Sequence, residues 1–584
     1  MKNRCAEITE WLRKAVWILF AVIIGYLLIS SIFSTCYTGA LEYITNSGKY
    51  EINTEHTFYL RDNWWVHVIA FISISTVLCI KQKKKMQSAK RNIFLVAVGL
   101  LIILVYIVYG GQYYPKADQR KVVEIAAAFC NQDYSAVERG GYLYLNPHQI
   151  GIALYFVILS KLFGELNIVA FQAMNIVWII VSFAELVWIS GNLDYKNGEK
   201  QRLMTSICVL LFFPWTFYVT YLYGTVIGEA LSLGAICCLM LFKRKKSIVY
   251  IILGSISIAV AVLLKSNFMI FAIAMILCLI SETISDNGKI KSILFICFIL
   301  IAVMVGKIGV DNYLEKVSGG ERIKGVPMLA YVEMGLQDGK TAPGGYNGYN
   351  HNIYIENNYD YEKTMEVIKN DMMETISLHC KNPMASISFF VKKVTAQWNN
   401  PTFQSLWSIE GRKGKNNLQW ILDGNGRWLY IFFVNIFQTV IYIGALFLIV
   451  FRFKKGKINE TLLILTFIGG FIFHIIWEAK SMYAMPFFLL LLPISCNGWG
   501  EWRSFLRNKS NEIRENGRSI NHLKVLGVIL ACTTMICIIS YTNIFSKIFA
   551  RNDDTGIFNP YTQDLVNYEK FEIGESQNES KNKR

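Results

Sequence analysis

Apolar runs of about 17–25 residues recur along most of the chain, separated by short polar or basic segments. A helix of that length spans the roughly 30 Å hydrocarbon core of a bilayer. Lipid offers backbone N–H and C=O groups no other partners, so each run must be helical. The runs fall at 15–34, 65–80, 92–110, 148–164, 167–189, 203–219, 222–241, 247–264, 266–281, 290–309, 427–451, 459–477, 481–497 and 523–541. They are rich in Ile, Leu, Phe and Val without strict alternation, unlike the strands of an outer-membrane barrel. The pattern predicts an all-α polytopic membrane protein of about 13 transmembrane helices with one large mixed extracytoplasmic loop region.

Hydrophobic residues make up 53% of the 584, and the formal charge is +16. The basic residues gather beside apolar runs: Lys2, Arg4, Arg13 and Lys14, then Lys81 to Lys85, then Lys243 to Lys246, then Arg452 to Lys457. Clusters so placed set orientation by the positive-inside rule, so membrane lipids are the expected partner and nucleic acid is not. With the N-terminus inside, 35–63 and 111–147 lie outside. Counting back from the basic 452–457 segment places 311–425 and the tail from 542 outside too. The two counts differ by one crossing between 148 and 241. Either 148–164 does not cross, or the region around Pro214 crosses once rather than twice; Lys196, Lys200 and Arg202 favour the first. The expected divisions are 1–91, a two-helix N-terminal addition; 92–310, a core with the first outer loop 111–147; 311–426, the extracytoplasmic loop region, helical over 361–395; 427–541, C-terminal helices; and 542–584, a tail. The thirteen cysteines lie mostly inside apolar runs and read as small apolar residues, not a disulfide framework. The N-terminal run reads as an anchoring first span.

Several polar groups lie inside runs or at the ends assigned to one side. Asp118 follows an outer helix end in Tyr113-Tyr114-Pro115-Lys116-Ala117-Asp118, and His148 closes the same loop. Glu229 sits in a span, Lys265 and Asn267 at an outer turn, and Glu478, Lys480 and Tyr483 at another. A carboxylate at the mouth of a membrane bundle costs desolvation unless it has a partner or a task. Each residue also has an ordinary role: Asp118 and His148 as helix caps, Lys265 snorkelling to headgroups, Glu478 and Lys480 as a weak interfacial pair. Only Glu229 resists such a reading, because intramembrane carboxylates usually line cavities. Trp64 and Trp65 read as aromatic belt.

The order of these features resembles a known class. An apolar helix leads to an outer loop with Asp118, then Gly140-Gly141-Tyr142-Leu143-Tyr144-Leu145-Asn146-Pro147-His148-Gln149-Ile150-Gly151, then a helix ending Lys161-Leu162-Phe163-Gly164. With Leu264-Lys265-Ser266-Asn267 and Glu478-Ala479-Lys480-Ser481-Met482-Tyr483-Ala484-Met485-Pro486, it is similar over about residues 90–500 to the GT-C glycosyltransferases, which include protein O-mannosyltransferases and lipid A aminoarabinose transferases. Many of those carry an Asp-Glu pair in the first loop, where this chain has Asp118-Gln119. The resemblance implies a bacterial multi-pass protein of the plasma membrane, with its active site facing outside. It implies an inverting transfer of a sugar from a polyprenyl-phosphate donor to a cell-envelope glycan, lipid or protein acceptor. Asp118 would be the base. Lys116, His148, Glu229, Lys265, Asn267, Tyr346, Glu478, Lys480 and Tyr483 would bind substrate, with Arg322 a further cation. A divalent metal (Mg or Mn) is a candidate cofactor, with no ligands assigned. The rivals are a transporter or flippase of lipid-linked or small polar substrates, which would need inverted repeats and midplane polar sites, an O-antigen ligase- or polymerase-like protein, and a non-catalytic assembly protein.

Overall fold

The computed structural model describes residues 2–44, 50–79, 89–111, 113–193, 198–285, 289–339, 341–410, 416–422, 424–454 and 456–516. Helix α1 (Lys2–Phe33) leads into an antiparallel hairpin, β1 (Ser34–Ile44) and β2 (Tyr50–Arg61), followed by α2 (Trp64–Cys79) and α3 (Ala89–Gly110). The first loop carries α4 (Ala117–Cys130) and a short α5 (Tyr142–Leu145), and α6 (Ile150–Phe163) follows. Then come α7 (Ile168–Leu193), α8 (Gly198–Leu211), α9 (Phe213–Phe217), α10 (Gly224–Lys245), α11 (Ile248–Leu264), α12 (Met269–Ser285) and α13 (Lys289–Val317). The long polar insertion folds as α14 (Met328–Leu336), α15 (Tyr349–Glu356), α16 (Tyr361–Lys381), α17 (Pro383–Trp398) and two single turns, α18 (Ser405–Ser408) and α19 (Gln419–Leu422). The chain closes with α20 (Gly424–Arg452), α21 (Ile458–Ile476), α22 (Ser481–Leu489) and α23 (Leu491–Asn516).

The protein is a polytopic α-helical membrane protein. Among the described residues eight helices are long and apolar enough to cross a bilayer, or up to eleven if each of three bent pairs is one span. The expected run at 523–541 lies outside the described residues, as do Lys81 to Lys85 and the tail. One bent pair is α8 with the 213–220 segment, which turns by 58° where Pro214 opens the second helix. Another joins the 135–145 segment to Pro147–Phe163 through 103°. Helix α6 has fourteen residues, about 21 Å of helix, short of the roughly 30 Å core. It lies along α4: Cys130 Sγ is 4.0 Å from the Val157 carbonyl, and Asn131 Nδ2 donates to Glu165 at 2.9 Å.

Contacts define two ends of the bundle. At one, Arg452 donates to Glu460 and Glu501, each at 2.6 Å, and to the Leu193 carbonyl. The basic segment at the end of α20 is thereby joined to the end of α7. At the other end gather the hairpin, the first loop, the turns at 221–223, 265–268 and 477–480, and the polar insertion. Two glycines let α20 and α23 touch: a Cβ on Gly498 would lie 1.8 Å from the Gly444 carbonyl. Such small-residue contacts are the common means of packing helices in lipid.

The hairpin is the unexpected element in what reads as an outer loop. Tyr37 stacks on Phe58 across the strands at 5.0 Å. Backbone bonds from Cys36 N to Asn399 O (3.0 Å) and Thr57 N to Thr341 O (2.8 Å) dock it on the polar insertion. The helix expected over 361–395 is present as α16 and α17, broken at Asn382–Pro383, with Asp360 capping α16 through Lys363 N at 3.0 Å.

Candidate functional site

The first loop enters the site through Ala117, whose φ of 46° lies in the left-handed region. For a residue with a Cβ that conformation costs on the order of 1 kcal/mol. Asp118 follows in the first turn of α4, where the helix dipole favours a carboxylate. The N-cap position belongs to Lys116, so Asp118 is not the cap. The next residue, Gln119, is buried and accepts a hydrogen bond from Leu222 N at 2.8 Å. The turn at 219–221 is held from α7 as well: Asn175 Nδ2 donates to the Val219 and Tyr221 carbonyls at 3.1 and 2.9 Å. Gln119 thus ties the loop to this turn.

Lys265 caps α11 and starts the turn into α12. Its Nζ donates to Thr225 Oγ1 at 2.8 Å and lies over the Tyr223 and Tyr483 rings at 5.6 and 5.1 Å. Gly224 permits the approach, since a Cβ there would meet the Leu264 carbonyl at 2.2 Å. Burial brings the Lys265 pKa down to about 7, the Lys480 charge adds to the shift, and Glu478 opposes it.

The 477–480 turn is fixed by Ala479 N donating to the Gly344 carbonyl at 2.6 Å. Burial raises the Glu478 carboxyl to about 7; Lys480 opposes this, while Glu55 and Asp118 add to it. Lys480 Nζ donates to both carboxylate oxygens of Glu55, at 3.0 and 2.9 Å. Burial works against the Lys480 charge, but Glu55 and Glu478 outweigh it, and its pKa rises above the usual lysine value.

These groups face a cavity of about 570 Å³, within the range of small-molecule sites. Asp118, His148, Lys265, Asn267, Tyr346, Glu478, Lys480 and Tyr483 all line it. On its far wall Tyr331 OH donates to Asn146 Oδ1 at 3.0 Å, and the Tyr331 ring stacks on Trp477 at 5.4 Å and 5°. His148 meets that tyrosine edge-on at 6.3 Å, and His351 Nε2 lies 3.2 Å from the same Asn146 oxygen. Asp118 lies beside the Tyr142 hydroxyl, and its charge reaches Glu478, Lys480 and His351.

Three sequence candidates stand apart. Lys116 pairs with Glu410 and lies over Trp407 at 5.8 Å, behind the cavity wall. Glu229 is fully buried in α10, off the cavity, with Glu185 as its neighbouring charge. Arg322 is exposed and does not line the cavity. The sequence reading missed Glu55, His351 and the aromatic wall of Tyr142, Tyr223, Tyr331 and Trp407. The signal for Glu55 was available: Thr54-Glu55-His56-Thr57-Phe58-Tyr59-Leu60 mixes β-branched, aromatic and polar residues as a half-buried strand does.

Among the described residues no three His, Cys, Asp or Glu side chains converge closely enough to ligate a metal. Glu55, the carboxylate nearest Lys480, is already held by it. Lys265 and Lys480 bring positive charge to the cavity wall.

The family described as conserved hypothetical integral membrane protein matches residues 9–498, a span that includes the hairpin and every cavity residue named above. The chain belongs to that family. No curated protein matches it in sequence. Among solved structures it is similar to the archaeal oligosaccharyltransferase AglB from Archaeoglobus fulgidus, in complex with an inhibitory peptide and a dolichol-phosphate. That likeness has 11% identity and a TM-score of 0.38, over 79% of this chain and 56% of that one. The apo form of the A. fulgidus enzyme gives 10% and 0.38, over 78% and 56%. ArnT from Cupriavidus metallidurans, also apo, gives 10% and 0.32, over 69% and 77%. This chain spans little more than half the length of the oligosaccharyltransferase it matches.

Proposed function

We propose that this protein transfers a sugar from a polyprenyl-phosphate donor to a cell-envelope acceptor at the outer face of the plasma membrane. The observation that carries the reading is the convergence of Asp118, Lys265 and Lys480 on one cavity at one end of the bundle. Lys265 and Lys480 hold the donor phosphate, and the prenyl chain lies between spans. Aromatic rings such as Tyr331 and Trp477 offer apolar faces to the sugar. The acceptor hydroxyl attacks the anomeric carbon from the side opposite the phosphate. One C–O bond forms there, the C–O bond to phosphate breaks, and the hydroxyl proton passes to Asp118. A single displacement inverts the anomeric centre. The leaving polyprenyl phosphate carries the departing electron pair, and the two ammonium groups stabilise that charge.

A transporter would need a polar site at mid-depth. Glu229 and Glu185, carboxyls within α10 and α7, do not line the cavity. The test is incubation of the purified protein in lipid with radiolabelled polyprenyl-phosphate sugars and envelope glycan, lipid or protein acceptors. Donor turnover that falls in Lys265→Met and Lys480→Met supports the reading. Movement of label across vesicles without sugar transfer contradicts it.

A further inference from the structure

The N-terminal hairpin brings a carboxylate into the site that the proposed transfer does not use. Glu55 lies on β2, two residues before Thr57, whose N–H fixes the strand to the Thr341 carbonyl at 2.8 Å. The strand is therefore anchored through its backbone, and the Glu55 side chain reaches on to Lys480. Both oxygens of Glu55 accept from Lys480 Nζ, so the carboxylate covers one whole side of an ammonium that has three donors. Each side chain keeps 20% of its surface exposed. Both line the cavity, so that exposure opens on the space a ligand would fill. Glu478 stands on the same turn as Lys480, and the other lysine of the cavity, Lys265, donates to Thr225 Oγ1 at 2.8 Å.

We propose that Glu55 is a resident counter-ion, occupying on Lys480 the seat that the donor phosphate takes. This rests on reading Lys480 as the cation for that phosphate. An incoming phosphate meets the Glu55 carboxylate as a like charge and must displace it. When the sugar has left, Glu55 returns to Lys480 and eases the departure of polyprenyl phosphate, whose monoester carries more negative charge than the donor diester. The hairpin thereby weakens anion binding so that the product is released. No bond is made or broken in the exchange, and two carboxylate hydrogen bonds are traded for two to phosphate.

The experiment titrates the full-length protein in detergent with farnesyl phosphate, read by quenching of tryptophan fluorescence, with farnesol as the uncharged control. Glu55→Gln keeps the shape of the side chain and removes the charge. It is expected to bind farnesyl phosphate about tenfold more tightly than wild type, ~1.4 kcal/mol, with farnesol unchanged. Glu55→Ala should tighten binding as well, and Lys480→Gln should weaken it. Equal or weaker binding in Glu55→Gln, with binding lost in Lys480→Gln, would make Glu55 a scaffold for Lys480 and overturn the inference alone. Wild-type affinity in Lys480→Gln would overturn the phosphate seat, and the inference with it.

Discussion

Binding of an anionic lipid to this cavity should weaken steeply as pH rises from 7 to 9. Two buried groups set the sign. Lys265, with its pKa lowered to about 7, is charged below that value and neutral above it. Glu478, raised to about 7, is neutral below and anionic above. Both changes make the cavity more negative with rising pH, while Lys480, raised above the usual lysine value, keeps its charge throughout. A phosphate monoester has its second pKa near 6 and is already mostly dianionic at 7, so the ligand contributes little change across this window. If only protonated Lys265 binds phosphate, the competent fraction falls from about a half at pH 7 to about a hundredth at pH 9, roughly fiftyfold. Glu478 adds to the loss. The assay is farnesyl phosphate affinity at half-unit pH steps, in wild type, Lys265→Met and Glu478→Gln. Lys265→Met should bind weakly at pH 7 and show a much shallower slope, and Glu478→Gln should retain the Lys265 part. Wild-type affinity that is flat, or that rises between pH 7 and 9, would refute the assignment of these groups to the phosphate.

Other outcomes follow from single contacts. Gln119→Ala removes the acceptor of the Leu222 N–H; a buried unpaired amide costs about 1–3 kcal/mol, so the melting temperature in detergent should fall, and an unchanged value would remove Gln119 from its tying role. Gly224→Ala drives a Cβ into the Leu264 carbonyl beside Lys265, so it should lower both thermal stability and farnesyl phosphate affinity in ligand-binding and melting assays. Glu229→Gln should leave that affinity within about twofold of wild type, ~0.4 kcal/mol, because the residue lies off the cavity; a tenfold loss would return Glu229 to the site.

The helical spans were legible because lipid allows the backbone few alternatives, and length with apolar composition suffices to find them. The end of the bundle that carries polar groups was legible from the basic clusters, and eight of the eleven candidate residues line the cavity. Glu229 stood out because a carboxylate in an apolar run is costly, yet cost alone does not say whether a cavity is near. Lys116 sits two positions from Asp118 and still faces away, since the helix begins at Ala117 and turns it toward Glu410. Glu55 was the opposite case. Its partner Lys480 is 425 positions away, and a short hairpin between two spans reads as a connection until its docking on the polar insertion is seen. The same holds for the aromatic wall, because tyrosines at span ends are common in the interfacial belt.

The most direct test of the account is donor turnover by Asp118→Asn. The purified variant, in lipid with radiolabelled polyprenyl-phosphate sugars and acceptor, should bind farnesyl phosphate and melt as wild type does while transferring no sugar. Near-wild-type transfer by that variant would contradict the central claim.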